Sequence, residues 1–467
     1  MLLPGTESCV RKLNDYEVSV NAWFMEKFGT ALYIAGGAAS CSANELKNDP
    51  EGSYGKLYSQ ISEKISFKKA HRYSWENIKS LNSSDNNQGR ECRICKRSET
   101  LDERGRCSIC AALERFSGDV LYSSFFVVSS RPQQDSLPLP SNRYLTAFDN
   151  ETKLKAFMKS GDYVRCYTKN KDYTGKLLST HLWVGSYTTG AAFEDLAKKA
   201  KEAGAIARIG VMRADIDDLG AAFAKGFIKD KSSRYMSLSR TAVLSRRLSL
   251  FFKCYINKFL TDRNANAVIV YSGGDDIFLV GAWNEIVYIF SDLRASFRRF
   301  TQGTLTLSGG VGIYSPGYPI HVMVEEVGRL EKSAKSVDGK NAVTLFDPEF
   351  TFDWDSFSSG ILDGKYSIIK TFFDATKDYG KSFLYHIAEF LRDSGEKINF
   401  VRLIYLLSRM EPSKDSDEST KNAYSRFAQN MHKWIKSKKD RREAEFAIYL
   451  YIYMTREMNT NEEDTDE

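Results

Sequence analysis

The hydrophobic positions change period several times along the chain, and those changes divide it. Residues 14–28 carry Val18, Val20, Trp23, Phe24 and Phe28 at loose helical spacing, and Leu57, Ile61, Ile65 and Phe67 repeat that spacing further on. Between them, residues 31–35 form a short apolar run read as a strand, and Leu2-Leu3-Pro4 reads as the end of another. The first 85 residues are therefore expected to be a small α+β piece. Residues 120–128 and 180–184 are rich in β-branched and aromatic side chains and predict strands, with Pro132 and residues 138–140 marking loops. Residues 191–203 predict a charged helix.

The patterning is most regular over residues 206–347. A strand over 206–214 runs into Asp215-Ile216-Asp217-Asp218. A long amphipathic helix follows, with Leu244, Leu248, Phe251, Tyr255 and Phe259 on one face. Two apolar runs then flank Gly273-Gly274-Asp275-Asp276, which predicts a β-hairpin with acidic residues at its tip. Helix 286–300, strand 305–313, helix 321–335 and a strand closing at Phe346 follow. The order β-α-β-β-α-β, extended by a helix and a strand, is that of a ferredoxin-like palm. Beyond residue 350 the pattern is helical, over 366–376, 382–391, 400–409, 423–434 and 444–458. The basic run 436–442 reads as a solvated helix face or loop, and the acidic tail after Met458 as disordered. The fold class is α+β in four segments: 1–85, 86–195, 196–348 and 349–467.

Composition narrows the class. The 467 residues are 42% hydrophobic and 27% charged, which suits a soluble globular protein with buried cores. A net charge of +6 is too small to establish nucleic-acid binding. No apolar run approaches the roughly 18 residues of a membrane span, and the first residues lack the pattern of a signal peptide. Four of the eight cysteines cluster and four are scattered, which fits a reducing cytoplasm better than a disulfide framework. The cluster is Cys92-x-x-Cys95 and Cys107-x-x-Cys110, separated by eleven residues. Two such pairs predict a zinc ribbon, in which four thiolates close a structural Zn²⁺ site.

The acidic residues suggest chemistry. Adjacent carboxylates repel unless a cation lies between them, so the hairpin tip is either a solvated acidic turn or a site for Mg²⁺ or Mn²⁺. A ferredoxin-like sheet pairs the hairpin beside the first strand, which brings Asp215 toward Asp275 and Asp276. Asp217 shares the side of Asp215 if the strand continues, and is a candidate further ligand. Asp218 is expected to cap the next helix. Lys335 and Lys340 are candidate triphosphate contacts.

Arg213-Ala-Asp-Ile-Asp-Asp-Leu-Gly220 together with Ser272-Gly-Gly-Asp-Asp-Ile277 resembles the catalytic palm of the large subunit of type III CRISPR effector complexes, most closely the III-A (Csm) subtype. The four-cysteine insertion and the helical segment after the palm resemble that family too. The palm is also similar to the GGDEF nucleotide cyclases, through Asp215-Ile-Asp217, Leu307-Ser-Gly-Gly-Val311, and Ala334-Lys335 with Gly339-Lys-Asn341. Asp-Asp rather than Asp-Glu-Phe at the second position argues against a diguanylate cyclase. The resemblance implies a nucleotidyltransferase that converts ATP to cyclic oligoadenylate second messengers when target RNA binds. It assigns catalysis to Asp215, Asp275 and Asp276, ATP binding to Ser272, Gly273, Gly274, Lys335 and Lys340, and metal binding to those aspartates with Asp217. Implied partners are the other Csm subunits, guide RNA and target RNA. The alternatives are an inactive scaffold and a GGDEF-like diguanylate cyclase. The family's HD nuclease is not expected here, because no His-Asp dipeptide occurs in these residues. Residues 1–85 resemble the later half of the family's first palm. The chain is therefore read as a truncated product, or as one half of a split subunit that a chain with the HD and first palm domains would complete.

Overall fold

The structure, a computed structural model, describes residues 2–83, 89–171, 180–376, 381–392 and 397–456. It divides into two compact units, residues 1–186 with 219–254 and residues 187–218 with 255–467. Residues 219–254, inside the expected palm segment, pack with the first unit. The acidic tail after Met458 lies outside the described residues.

In the first unit, the described residues up to 83 form helices Glu7–Phe28, Ala43–Leu46, Ser53–Ala70 and Trp75–Ser83. Thr6 starts the first of these by accepting the Cys9 N–H. Neither strand expected here forms, so the piece is helical rather than α+β. The N–H and C=O of Ile34, which a neighbouring strand would have paired, bond instead to the Asn21 side-chain amide at 2.8 and 2.9 Å. A five-stranded sheet follows in the order Leu137–Leu139, Arg143–Phe148, Phe125–Ser129, Tyr163–Lys169, Thr180–Leu182. Helix Glu151–Lys159 covers it by packing Leu154 and Met158 on Phe125, Val127 and Cys166. Residues 120–122, expected to open a strand, end the helix Ser108–Tyr122, which buries Ile109, Ala112 and Phe116 at helical spacing. Pro138, expected in a loop, lies in a strand at the sheet edge, where its missing N–H costs no ladder bond.

The second unit holds the palm. Its elements are α1 (Phe193–Glu202), β1 (Ile209–Ile216), α2 (Ile256–Asp262), β2 (Ala267–Ser272), β3 (Asp276–Ala282), α3 (Trp283–Phe300), β4 (Leu307–Tyr314), α4 (Ile320–Ser336), β5 (Ala342–Leu345) and β6 (Thr351–Asp353). The sheet order is β6-β5-β4-β1-β3-β2, with β1 antiparallel to both β4 and β3. Strands β4-β1-β3-β2 have the ferredoxin-like arrangement, and β5 and β6 extend it beyond β4. A π-turn, Phe251–Tyr255, precedes α2 and shifts its apolar stripe to Ile256, Phe259 and Leu260. Tyr255, expected on the buried face, is therefore 40% exposed.

Side-chain alternation positions the site. On β1, Ile209 and Val211 pack with Leu196 and Ala197 of α1, Phe278 and Val280 of β3, and Met323 and Val327 of α4. A period of two continues these rows to Arg213 and Asp215 on β1 and to Asp276 on β3. A spacing of four continues the α4 row to Glu331 and Lys335. All three rows pass from apolar to ionic at the same end of the sheet. Gly310 lets α4 lie close, since a Cβ there would stand 2.5 Å from Leu330 Cβ and 2.8 Å from Glu331 N.

Behind the sheet, Trp354 stands edge-on to Phe290 at 4.8 Å and donates its indole N–H to the Leu307 carbonyl at 2.7 Å. Helices Ser367–Ala375, Lys381–Arg392, Lys397–Ser408, Glu418–Trp434 and Lys438–Thr455 complete the unit. Buried Lys365 pairs with Asp440 and Glu443 at 2.9 and 2.7 Å. The basic run 436–442 begins the helix Lys438–Thr455, with Arg441 donating to the Ile435 carbonyl at 2.8 Å. No helix among the described residues is long and apolar enough to cross a membrane.

Candidate active site

Asp215 sits one residue before the end of β1, and its Cα partners are Asp276 on β3 and Ser308 on β4. Two carboxylates thus face each other across one strand pair. Asp275 adds a third from the turn before β3, where its carbonyl accepts the Ile216 N–H at 3.2 Å. Burial raises the pKa of Asp275, and the charges of Asp215 and Asp276 add to this while Lys335 opposes it. Burial also raises Asp276; a hydrogen bond from Tyr271 opposes it and Asp215 reinforces it.

Lys335 supplies the compensating charge. Its amine contacts Asp215 and lies 3.0 Å from Glu331, which in turn takes the Arg213 Nε at 2.7 Å. Burial works against its charge, but the bonds to Asp215 and Glu331 lift its pKa overall. Glu331 is 8% exposed, so it is a buried carboxylate with two cationic partners. Lys340 reaches Asp218 at 2.5 Å rather than the other aspartates. Asp218 has φ 51°, outside the extended conformation of an N-cap, so the expected capping role is not fulfilled.

Asp217 follows the end of β1 and is 4% exposed. Its Oδ2 accepts Thr306 Oγ1 at 2.8 Å, Ser308 Oγ at 2.9 Å and the Asn341 N–H at 3.1 Å. It therefore ties β1 to β4 and to the turn before β5. Its Oδ1 and the Oδ1 of Asp276 are buried without a hydrogen-bond partner. Such oxygens suit a hard cation, so the residues present fit Mg²⁺ or Mn²⁺. Among the described residues, though, only the cysteines form a group of three or more ligand atoms within 4.8 Å of one another.

Ser272 ends β2 opposite Ile277, and the Gly273 N–H donates to the Asp276 carbonyl at 2.8 Å. A Cβ on Gly273 would stand 2.2 Å from Asp276 Oδ1 and 2.6 Å from the Tyr271 hydroxyl oxygen. Any side chain here would have to push the Asp276 carboxylate and the Tyr271 hydroxyl aside, so glycine suits the position. Gly274 lies in the bend between the strands. The hairpin itself departs from simple alternation by a bulge beside Phe278 and Leu279.

In the first unit, Cys92, Cys95, Cys107 and Cys110 bring their sulfurs within 4.8 Å of one another. The Cys107 N–H donates to Cys92 Sγ at 3.3 Å, and the Cys110 N–H to Cys107 Sγ at 3.5 Å. Four thiols with backbone donors aimed at them can hold a metal ion.

Sequence reasoning missed Glu331 and Tyr271. Glu331 is signalled only as the residue four before Lys335 on one helix face. Tyr271 gave no signal, because its hydroxyl reaches Asp276 within the hairpin.

Three stretches match described families. Residues 208–344 match Cas10/Cmr2, second palm domain; residues 370–457 match the CRISPR RNA silencing complex Cmr2 subunit, second helical domain; and residues 1–84 match Csm1 subunit domain B. The CRISPR system single-strand-specific deoxyribonuclease Cas10/Csm1 (subtype III-A) of Mycobacterium tuberculosis is 38% identical over 98% of this chain. The chain belongs to the Cas10/Csm1 family. It spans 59% of that relative's length. Crystal structures of a Csm1-Csm4 cassette share the fold. One in complex with cA4 has a TM-score of 0.66 at 20% identity, covering 96% of this chain and 60% of the other. One in complex with one ATP has 0.66 at 19%, covering 92% and 60%.

Two outcomes check this geometry. Asp217→Ala leaves three donors without an acceptor and should cost about 3 kcal/mol in denaturant unfolding, whereas Asp217→Asn keeps an acceptor and should cost under about 1 kcal/mol. Equal losses would contradict the reading of Asp217 as a hydrogen-bonded tie. Asp276 has a folded pKa above its unfolded value, so its ionisation disfavours the folded state. That penalty is absent below about pH 4 and grows as pH rises through the folded pKa. Without divalent cations, Asp276→Asn should therefore unfold at a higher temperature than the parent at pH 7. The gain should be under about 1 kcal/mol after solvent screening, and it should vanish in acid.

Proposed function

We propose that the palm is a nucleotidyltransferase site that uses ATP with Mg²⁺ or Mn²⁺ and joins it through 3′–5′ linkages into cyclic oligoadenylates. On this reading the chain works within a Csm ribonucleoprotein with guide RNA and target RNA, and responds when target binds. The observation that carries it is the opposition of Asp215 and Asp276 across β1 and β3, with Asp275 beside them and Lys335 as counter-charge. The family membership, and solved relatives of the same fold in complex with ATP and with cA4, support it.

Asp215, Asp275 and Asp276 would hold the divalent ions, with Asp217 a further candidate through its unpartnered Oδ1. Bound there, such ions lower the pKa of an attacking hydroxyl and neutralise charge on phosphate oxygens. In the reaction the 3′-oxygen of one nucleotide forms a bond to the α-phosphorus of the next. The bond from that phosphorus to the bridging oxygen breaks, and pyrophosphate leaves. Lys335 presents positive charge on the phosphate side of the carboxylates, and Glu331 positions its amine. Gly273, without a side chain, leaves room for the Asp276 carboxylate beside the site. Ser272, Gly274 and Lys340 are proposed nucleotide contacts. Zn²⁺ is the proposed ion for the four cysteines, in a structural role. The deoxyribonuclease activity named for the relative is not assigned to the residues described here.

Reconstituted with its complex, target RNA, ATP and Mn²⁺, the protein should yield oligoadenylates, and Asp275→Ala with Asp276→Ala should abolish them. Undiminished product from that double variant would overturn the assignment. Elemental analysis should find one zinc per chain, lost when Cys92 and Cys110 are both changed to serine; a metal-free folded parent would contradict the zinc reading.

A further inference from the structure

In the second unit, α3 ends at Phe300 and the chain turns back into β4. Beside that turn lies a cavity of about 130 Å³ lined by Arg294, Phe297, Arg298, Thr306, Asn341 and Asp355, among others. Arg294 is only 9% exposed, and a guanidinium so far from water needs partners for its five N–H donors. The contacts it has are long: 3.4 Å to Asn341 Oδ1 and 3.5 Å to Asp355 Oδ1. Its remaining support is the Trp354 ring, 5.7 Å away. Arg298 reaches the same Asp355 oxygen at 3.8 Å. Two guanidiniums thus share one carboxylate, and that side chain is 74% exposed and free to swing out.

The other carboxylates nearby are committed elsewhere. Asp353 accepts the N–H and Oγ of Ser356 at 2.8 and 2.7 Å, and Asp217 is held by Thr306, Ser308 and Asn341. Burial lowers the Arg294 pKa; Asp355 opposes this and the Arg298 charge adds to it. The cavity therefore carries an excess positive charge in a space suited to a tetrahedral oxyanion and too small for a nucleoside. Paired arginine forks match phosphate oxygens in geometry as well as charge.

We propose that this cavity binds a terminal phosphate group, with Arg294 and Arg298 exchanging Asp355 for its oxygens. Neither arginine has a part in the ATP reading, and the binding needs no divalent cation, so the two proposals fail separately.

The test is calorimetric titration of the full chain with inorganic phosphate in EDTA. Arg298 and Asp355 are exposed enough to change without endangering the fold. Arg298→Gln should weaken binding about fivefold, and Asp355→Asn should tighten it about threefold by removing the competing anion. A tighter Asp355→Asn is the result that a purely structural role for these residues would not produce. Dimethyl phosphate, a singly charged diester, should bind about tenfold more weakly than phosphate. No binding of millimolar phosphate, equal affinities in parent and both variants, or a diester as tight as phosphate would each overturn the proposal.

Discussion

Asp215 and Asp276 are held opposite each other by the same register that buries Val211 with Phe278 and Val280. A one-residue slip of β3 would turn Phe278 and Val280 away from α1 and α4, so the apolar rows fix where the carboxylates stand. The acidic pair is thus imposed by the core. Its repulsion has to be compensated locally, and Lys335 does this from α4, at the end of the helical row that begins with Met323 and Val327. Glu331 completes the arrangement by holding Lys335 and Arg213 together.

The same constraint explains why the two strand-end aspartates differ. Asp217 continues the β1 row one step past the last paired residue, where its N–H still bonds to the Thr306 carbonyl at 2.9 Å. There it gains three donors from β4 and the turn before β5, and becomes part of the scaffold with one oxygen still unpartnered. Asp276 lies within β3, folded over a glycine, and is supported by a tyrosine hydroxyl. One carboxylate gives rigidity, and the other is left with its charge largely unanswered. A site of the kind proposed, receiving a cation and phosphates, would need both kinds.

The palm was legible because its periodicities are clean. The apolar runs in residues 206–214 and 268–282, and the helical spacing in 286–300 and 321–335, each mark an element packed into one sheet. The pairing of Asp215 with the hairpin followed from strand order alone. The first 85 residues were misread where local propensity met a side chain no pattern predicts: Asn21 takes the backbone groups of Ile34 that would have made a strand. Tyr255 was misplaced because a π-turn carries no apolar period of its own. In the site, the clustered aspartates and Lys335 were visible as motifs. Those that hold them, Glu331 and Tyr271, were not, because their roles depend on contacts across elements or within a folded hairpin. The cysteine spacing needed no such context, and the four sulfurs converge as that spacing requires.

The central claim is that Asp215, Asp275 and Asp276 act together as a cation site. Manganese binding followed by electron paramagnetic resonance, with ATP present, addresses it directly. The account predicts Mn²⁺ bound to the parent protein, and weakly or not at all to a variant carrying Asp275→Asn and Asp276→Asn. It also predicts binding to the parent that strengthens as pH rises and the raised carboxylate pKa values are passed. Equal Mn²⁺ binding by parent and variant would contradict it.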